Sequence, residues 1–214
     1  MGGGPRRAVK GASVSGESGC GVTGVVLAGG SSERFGRDKL AEPVEGVPML
    51  HRAIRAVAPF CEEMVVSVAF EGKAPPMPED VAVVLARDRV PDEGPLAGLC
   101  TALGLVSTPL ALVAAGDMPR LSSAVLGLML REAASHPDAQ VVALRDSEKV
   151  RPLPCVVRAE AAPHLDELVA SGERRLRALV QEFPLAVVAA SEWRALDLAG
   201  GSLQDVDRPE DLAR

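Results

Sequence analysis

The stretch VTGVVLAGGSSERFGRDKL, from Val22 to Leu40, begins as an apolar run and then becomes a loop of small residues. Gly29 and Gly30 allow the backbone to turn sharply and to approach a ligand closely, because they carry no Cβ. Successive N–H groups in such a loop can form a concavity that binds an anion, and Arg34 and Lys39 supply positive charge. The same residues also fit an ordinary strand-to-helix turn with solvated charges, so the stretch alone leaves both interpretations open.

Two common phosphate-binding motifs are excluded by the spacing of this loop. A Walker A loop ends in Gly-Lys-Ser or Gly-Lys-Thr, whereas Gly36 is followed by Arg37 and Asp38. The Rossmann fingerprint requires Gly-x-Gly-x-x-Gly, and this loop has two adjacent glycines followed by Gly36. If the loop binds phosphate, it does so with a different arrangement.

The composition of the 214-residue chain favours a globular domain with a local site for an anionic ligand. Apolar residues make up 47%, enough for a packed core, and aromatic residues only 2%. This scarcity of aromatic platforms and the net charge of −6 count against nucleic-acid binding. We expect residues 1–20, rich in Gly and Ser, to form a disordered extension and residues 21–214 to form a single domain.

Residues 94–116 carry no charged side chain, and this length raises the question of a membrane span. Ser107, Thr108 and Pro109 interrupt the segment. We therefore predict a buried helix, a break and a buried strand. The expectation is a cytoplasmic, monomeric protein that binds neither a membrane nor nucleic acid.

Short runs rich in Val, Ala and Leu alternate with longer amphipathic segments. The predicted strands are Val22–Ala28, Met64–Ala69, Val81–Ala86, Leu110–Ala115, Gln140–Leu144 and Leu185–Ala190. The predicted helices are Pro48–Ala58, Leu96–Val106, Ser122–Ser135, Ala161–Ser171, Glu173–Glu182 and a short C-terminal helix with Pro209 near its first turn. Such alternation predicts an α/β fold with a mostly parallel sheet buried on both faces. Ligands bind at the carboxyl ends of parallel strands, so the site is expected after Ala28, Ala86 and Ala115.

Acidic residues follow two of the predicted strands. Asp117, in AAGDMPRL, comes directly after a fully apolar strand, and a carboxylate there is a natural ligand for Mg²⁺. Taken alone, it fits a helix cap or the turn at Met118-Pro119 better than a metal site. Asp88 lies just beyond the strand that ends at Ala86, ahead of the segment DEGPLAGL. That segment by itself indicates only the start of a helix.

Two further acids, Asp205 and Asp207, lie in LQDVDRPEDL near the end of the chain. They could share a metal ion with Asp117. They could also favour the N-terminus of the last helix, where the helix dipole stabilises negative charge.

Together these stretches resemble the molybdenum cofactor guanylyltransferases, the MobA-like branch of the nucleotidyltransferases. The resemblance covers nearly all of residues 22–214 and rests on LAGGSSERFGRDKL, GPLAGL, GDMPRL, GERRLRALV and DRPEDLA. It implies a three-layer, Rossmann-like nucleotidyltransferase fold with a mostly parallel central sheet. It also implies transfer of GMP from GTP to the molybdenum–molybdopterin cofactor, with Mg²⁺ as metal ion and pyrophosphate as product.

The resemblance carries roles to individual positions of this sequence. The nucleotide-binding residues that it implies are Leu27, Ala28, Gly29, Gly30, Lys39, Asp88 and Asp117. It makes Arg34 and Lys39 phosphate contacts, Asp117 the Mg²⁺ ligand and Asp88 part of the guanosine pocket. The implied partners are GTP and the molybdopterin cofactor, with transient contact to molybdoenzymes or their chaperones.

The chain departs from the family's pattern at three places. Ser67 and Ala69 stand near a position where Asn is common, Asp205 and Asp207 replace two Asn of the late motif, and Arg151 replaces Gln before Pro-Leu. These changes bear on base choice and pterin contacts more than on the reaction type. The alternatives are a cytidylyltransferase for the same cofactor or another phosphorylated acceptor, and a nucleotide-binding module without catalysis. The loop ending DK and the motif GDMP favour the guanylyl branch.

Overall fold

The computed structural model describes residues 21–29, 39–71, 73–88, 93–206 and 211. Its strands are β1 (Val22–Leu27), β2 (Pro43–Val44), β3 (Val47–Pro48), β4 (Glu63–Val68), β5 (Val84–Arg87), β6 (Leu110–Ala115), β7 (Val141–Asp146), β8 (Lys149–Arg158) and β9 (Leu185–Val188). Its α-helices are α1 (Met49–Val57), α2 (Gly94–Leu103), α3 (Ser123–Ser135), α4 (Ala162–Ala170) and α5 (Ala190–Arg194). Short 3₁₀ helices cover Lys39–Ala41, Ala58–Phe60, Ala159–Ala161, Leu176–Val180 and Gly201–Leu203.

Seven strands form one sheet in the order β5-β4-β1-β6-β8-β7-β9. The strands β5, β4, β1 and β6 run parallel, β8 runs antiparallel to both of its neighbours, and β9 is parallel to β7. Strand order reverses at β1, which pairs with β4 on one side and β6 on the other. Such a reversal opens a crevice beyond the carboxyl ends of the strands. The predicted α/β class with a mostly parallel sheet is confirmed.

Helices cover both faces of the sheet, which makes three layers. Along β1, alternate side chains enter the two cores: Val26 packs in the cluster that contains Ile54 of α1, and Val25 packs in the cluster that contains Leu99 of α2. All four side chains are fully buried. Consecutive residues of β1 are therefore apolar because both faces of the sheet are buried.

A two-residue hairpin leads into α1. Glu45 and Gly46 connect β2 and β3 with φ of 52° and 80°, the left-handed conformation that a tight primed turn requires. Val44 of the hairpin is buried with Met49 and Val206 in a small third cluster. The hairpin is thereby attached to a segment close to the end of the chain.

The uncharged segment 94–116 divides as predicted into the buried helix α2 and the buried strand β6. The breaking residues include Thr108, whose hydroxyl bonds that of Thr23 at 2.8 Å. Within the described ranges, no helix has the length and apolar character that crossing a membrane requires.

The longest strand was not predicted. β8 spans ten residues, with Pro152 and Pro154 inside it, and proline cannot donate to a strand ladder. The register explains the exception: Ala143 pairs with Cys155 and Leu144 with Arg151, so the residues between them are outside the ladder. The prolines therefore occupy positions where no ladder hydrogen bond is required.

The helix predicted at Glu173–Glu182 is wrong beyond the short 3₁₀ turn Leu176–Val180. The Glu173 carboxylate accepts the backbone N–H groups of Arg174 and Arg175 at 2.8 and 2.9 Å. This local bonding competes with helix formation. The hydrogen bond from the Arg175 guanidinium, with the two backbone N–H groups, lowers the pKa of Glu173 to about 2.

Five of the six predicted strands differ from the structure by one to three residues at a boundary, and only Leu110–Ala115 agrees at both ends. The strand predicted at Leu185–Ala190 ends at Val188, because the Glu192 carboxylate accepts the Ala189 N–H at 2.9 Å where α5 begins. The strand predicted at Val81–Ala86 covers only Val84–Arg87. Residues 1–20 and the predicted C-terminal helix from Pro209 lie outside the described residues, apart from residue 211.

Candidate active site

A cavity of about 340 Å³ opens at the carboxyl ends of β1 and β6. Its lining residues are Leu27, Gly29, Lys39, Leu40, Pro95, Ala115, Asp117, Leu153, Leu176 and Asp205. Five of these, Leu27, Gly29, Lys39, Asp117 and Asp205, are candidate site residues from the sequence. The cavity therefore lies where the strand order reverses at β1, and candidate residues from the sequence line it.

Lys39 and Asp117 meet inside this cavity. The Lys39 Nζ donates to Asp117 Oδ2 at 2.9 Å, although 78 positions separate the two residues. Their side chains are only 14% and 25% exposed, so bulk water screens the pair less than it would on an open surface. A phosphate bound to Lys39 or a metal cation bound to Asp117 would have to compete with this ion pair.

The Asp117 loop is held by backbone contacts on both sides. Gly116 donates its N–H to Leu27 O at 2.9 Å, and the Asp117 carbonyl accepts the Val206 N–H at 3.0 Å. A Cβ at position 201 would lie 2.8 Å from the Arg120 carbonyl oxygen. The end of β1, the loop after β6 and the late segment around 201–206 therefore pack as one layer around the cavity.

Asp88 lies beside the cavity. A Cβ placed on Gly29 would be 3.5 Å from Asp88 Oδ2, and the Ser67 hydroxyl donates to Asp88 Oδ1 at 3.3 Å. Burial raises the pKa of the Asp88 carboxyl; the Ser67 hydrogen bond opposes this rise and the negative charge of Glu93 adds to it. The result is a hydrogen-bond acceptor that is costly to keep ionised.

The second glycine of GPLAGL, Gly98, lies where a larger residue would not fit. A Cβ at this position of α2 would lie 2.9 Å from Ser67 Oγ and 3.3 Å from Asp88 Oδ1. The missing side chain leaves room for the hydrogen bond between these two groups. Ser67, noted in the sequence only as a departure from the family's pattern, is thus part of the Asp88 environment.

The segment GERRLRALV packs against the start of α2. Leu96 donates its N–H to the Arg174 carbonyl at 3.2 Å, and Gly94, at φ 80°, has no room for a Cβ beside that carbonyl. This contact brings Pro95 and Leu176 into the cavity lining. The two lining residues were missed in the sequence, since apolar residues in such segments look like ordinary core.

The backbone groups near Gly29 are partly committed. The Ala28 N–H donates to Ser67 O at 2.8 Å, and the Leu27 carbonyl accepts from Gly116. A ligand contact from Ala28 would therefore use its carbonyl oxygen. Of the remaining candidates, Gly30, Arg34 and Asp207 lie outside the described residues.

The carboxylates of the cavity fit a magnesium ion. Asp117 and Asp205 both line it, and Mg²⁺ prefers one or two carboxylates, with water and substrate phosphates as the other ligands. The described part of the chain has no group of three or more His, Cys, Asp and Glu side chains that could hold a metal. The donor set thus suits a metal ion that arrives with a phosphate ligand.

Comparison with known proteins finds relatives along most of the chain. Residues 24–188 match the family described as the MobA-like NTP transferase domain. The chain is 35% identical to a probable molybdenum cofactor guanylyltransferase of Natronomonas pharaonis, over 90% of this chain and 95% of that protein. It is 32% identical to a protein of the same name from Chloroflexus aggregans, over 89% and 91%.

The fold has counterparts among solved structures. Molybdopterin-guanine dinucleotide biosynthesis protein A from Archaeoglobus fulgidus matches with a TM-score of 0.71 at 19% identity, over 90% of this chain and 95% of that one. At this identity the likeness concerns the fold alone. From the sequence match over residues 24–188 and the relatives above 30% identity, the chain belongs to the MobA-like NTP transferase family and is a nucleotidyltransferase.

Proposed function

We propose that this nucleotidyltransferase transfers GMP from GTP to the molybdenum–molybdopterin cofactor and releases pyrophosphate. The observation that carries the proposal is the meeting of Lys39 and Asp117 in one cavity at the strand-order reversal. A phosphate-binding cation and a metal-binding carboxylate are the two groups that a nucleoside triphosphate requires. The names of the relatives supply the acceptor.

The reaction joins two anions. A terminal phosphate oxygen of the acceptor attacks the α-phosphorus of GTP, the bond to the β-phosphate oxygen breaks, and pyrophosphate leaves with that electron pair. Two unit charges ~4 Å apart repel by about 4 kcal/mol at an effective dielectric of ~20. Charge compensation and alignment are therefore the main tasks of the protein, and the acceptor phosphate needs no strong general base.

The residues divide these tasks. We assign the Lys39 ammonium, and Arg34 from the preceding loop, to the triphosphate, and the loop at Gly29 to close approach of the ligand backbone. Asp117 and Asp205 would hold Mg²⁺. The ion, when bound, would compensate charge on the transferred phosphate and on the pyrophosphate.

Asp88 is our candidate for recognition of the base. The Watson–Crick edge of guanine presents two donors, N1–H and the N2 amino group, and an ionised carboxylate can accept both. Cytosine presents an acceptor at N3 instead, which faces a carboxylate unfavourably. Asp88 lies next to Gly29, which lines the cavity, and a carboxylate there would favour GTP over CTP as the substrate.

The test is pyrophosphate release with the molybdenum-loaded cofactor and each of the four nucleoside triphosphates. We expect GTP to give the highest kcat/KM and GMP to appear covalently attached to the cofactor. A preference for CTP would replace the guanylyl assignment with the cytidylyl one. If GTP binds tightly but no pyrophosphate is released with this or any other phosphorylated acceptor, the protein is a nucleotide-binding module without catalysis.

The second metal ligand has its own test. Asp205→Asn and Asp207→Asn are titrated separately with Mg²⁺ under saturating GTP. We expect Asp205→Asn to raise the Mg²⁺ concentration for half-maximal turnover, since Asp205 lines the cavity. Unchanged Mg²⁺ requirements in both variants would leave Asp117 as the single protein ligand.

A further inference from the structure

Arg52 connects two loops from its position on α1. Its Nε donates to the Pro119 carbonyl at 2.9 Å. Its Nη1 donates to the Val44 carbonyl at 3.3 Å and to Glu45 Oε2 at 2.7 Å. The Arg52 side chain is 26% exposed, so most of it lies within the packed structure.

The two loops are those that carry the central ion pair. Pro119 is two residues beyond Asp117, and the hairpin at Val44 follows the 3₁₀ turn that begins at Lys39. The Glu42 N–H donates to the Lys39 carbonyl at 3.1 Å, which ties that turn to the hairpin. One planar guanidinium therefore joins the chain beside the cation to the chain beside the carboxylate.

Apolar packing transmits the same constraint. Val44 packs with Met49 and Val206, and the Val206 N–H donates to the Asp117 carbonyl at 3.0 Å. A change in the hairpin thus reaches the Asp117 loop by two routes. One route is the hydrogen bonds of Arg52 to the Val44 and Pro119 carbonyls. Because the guanidinium is planar, these bonds fix both the distance between the two loops and their relative orientation.

We propose that Arg52 is a positioning residue that holds the Asp117 loop, and with it the Asp117 carboxylate, in the orientation that binds a divalent cation, and thereby sets the affinity of the site for that cation. The inference rests on the proposed function, in which Asp117 holds the metal ion. Groups that orient a metal ligand from behind typically change metal affinity by about 10- to 100-fold when they are removed. An arginine that served only stability would lower the melting temperature and leave metal affinity unchanged.

The experiment measures Mn²⁺ affinity at equilibrium from the electron paramagnetic resonance signal of the free ion, with Asp117→Asn defining binding at the site. We expect Arg52→Ala to weaken Asp117-dependent Mn²⁺ binding about ten-fold. Arg52→Lys should also weaken it, because the ammonium keeps the charge but cannot span both loops with a planar fork. This second variant retains the alkyl stem and guards against loss of folding in the first.

Arg55→Ala is the matched control on the same helix. Arg55 pairs with Asp80 on the surface, and that contact involves neither loop. The Mn²⁺ affinity of the Arg55→Ala variant should equal that of the wild type. Equal affinity in wild type, Arg52→Ala and Arg52→Lys, or equal weakening in Arg55→Ala, would overturn the proposal.

The outcome for Arg52 is separable from the outcome for the proposed reaction. Failure of the wild type to transfer GMP, with Asp117-dependent Mn²⁺ binding intact and weakened by the Arg52 variants, would count against the reaction alone. Mn²⁺ binding that Asp117→Asn leaves unchanged would overturn both the metal assignment and the role of Arg52.

Discussion

Two ion pairs of nearly equal length have different surroundings in this molecule. Lys39 and Asp117 lie 2.9 Å apart in the cavity, with side chains 14% and 25% exposed. Arg55 and Asp80 lie 2.8 Å apart on the surface, with side chains 43% and 57% exposed. The surface pair has the better geometry, since Arg55 Nε and Nη2 both donate to the carboxylate. Bond length therefore does not distinguish a site from a surface contact; shielding and the neighbouring groups do.

The strongest way to break the comparison is to neutralise each acid in turn. Asp117→Asn should lower the rate of pyrophosphate release about a thousand-fold, because the metal loses its central ligand and the transition-state charge is left uncompensated. Asp80→Asn should leave the rate at the wild-type value. Steady-state release of pyrophosphate measures both. Similar losses in the two variants would show that Asp117 acts through the fold, as would a poorly folded Asp117→Asn protein by circular dichroism.

Neutralising the cations should separate binding from turnover. Lys39→Met removes the ammonium that competes for Asp117, so Mn²⁺ should bind more tightly, while turnover falls about 100-fold through loss of a phosphate contact. Arg55→Met should change neither quantity. Equilibrium Mn²⁺ binding and kcat are measured on the same preparations. Weaker Mn²⁺ binding in Lys39→Met would mean that the ammonium orders Asp117 rather than competing for it.

A third carboxylate sharpens the contrast, because Asp88 has the neutral Ser67 hydroxyl as its hydrogen-bond partner. Burial raises its pKa in the folded protein, so ionisation of this group opposes folding as the pH rises through the carboxyl range. Asp88→Asn should therefore melt at a slightly higher temperature at pH 7. The difference should shrink as the pH falls through the unfolded-state pKa of about 3.9 and disappear below about pH 3, where Asp88 is protonated in both the folded and unfolded states.

The same substitution should weaken the recognition of guanine. We expect the KM for GTP to rise about ten-fold, since an amide offers one acceptor and a clashing donor where the carboxylate offered two acceptors. Kinetics at pH 7 and melting curves from about pH 3 to 8 test the two effects together. A variant that loses stability at pH 7 and keeps its KM would contradict both assignments.

The smallest effect is expected on the surface. Arg55→Ala, Asp80→Ala and the double variant should have the same urea midpoint as the wild type within error, because an exposed ion pair gains little over its hydrated groups. Chemical denaturation in low and high salt provides the measurement. A clear loss in low salt that vanishes in high salt would show that this pair stabilises the protein electrostatically.

The sequence predicted the parallel half of the sheet well. The strand Leu110–Ala115 agrees with β6 residue for residue, since an unbroken apolar run bounded by Pro109 and Gly116 leaves little choice of boundary. β8 could not be predicted, because its prolines are tolerated only through a register irregularity that depends on pairing with β7. The local sequence pattern predicts a strand when its hydrogen bonding is regular. It fails for a strand such as β8, whose irregular pairing depends on a neighbouring strand.

The site divides in the same manner. Asp117 was identifiable because it directly follows an apolar strand, and Lys39 because it follows the glycine loop and matches a position of the family's motif. Arg52 gave no signal, since an arginine on an amphipathic helix is expected on the solvent side. Leu153 and Leu176 were missed for the opposite reason, because aliphatic residues do not reveal whether they face a core or a cavity. Contacts across 67 positions, as between Arg52 and Pro119, become visible only with the fold.

The antiparallel strand β8 has an evolutionary consequence. Since it runs against β6 and β7, its first half reaches the edge where the parallel strands end, and Leu153 there lines the cavity. Residues 152–154 have no ladder partner in either neighbour. A substitution at Leu153 can change the cavity lining without removing a strand pairing of the sheet. The shape of the cavity can therefore diverge at Leu153 among related chains that keep the same sheet and the same ion pair.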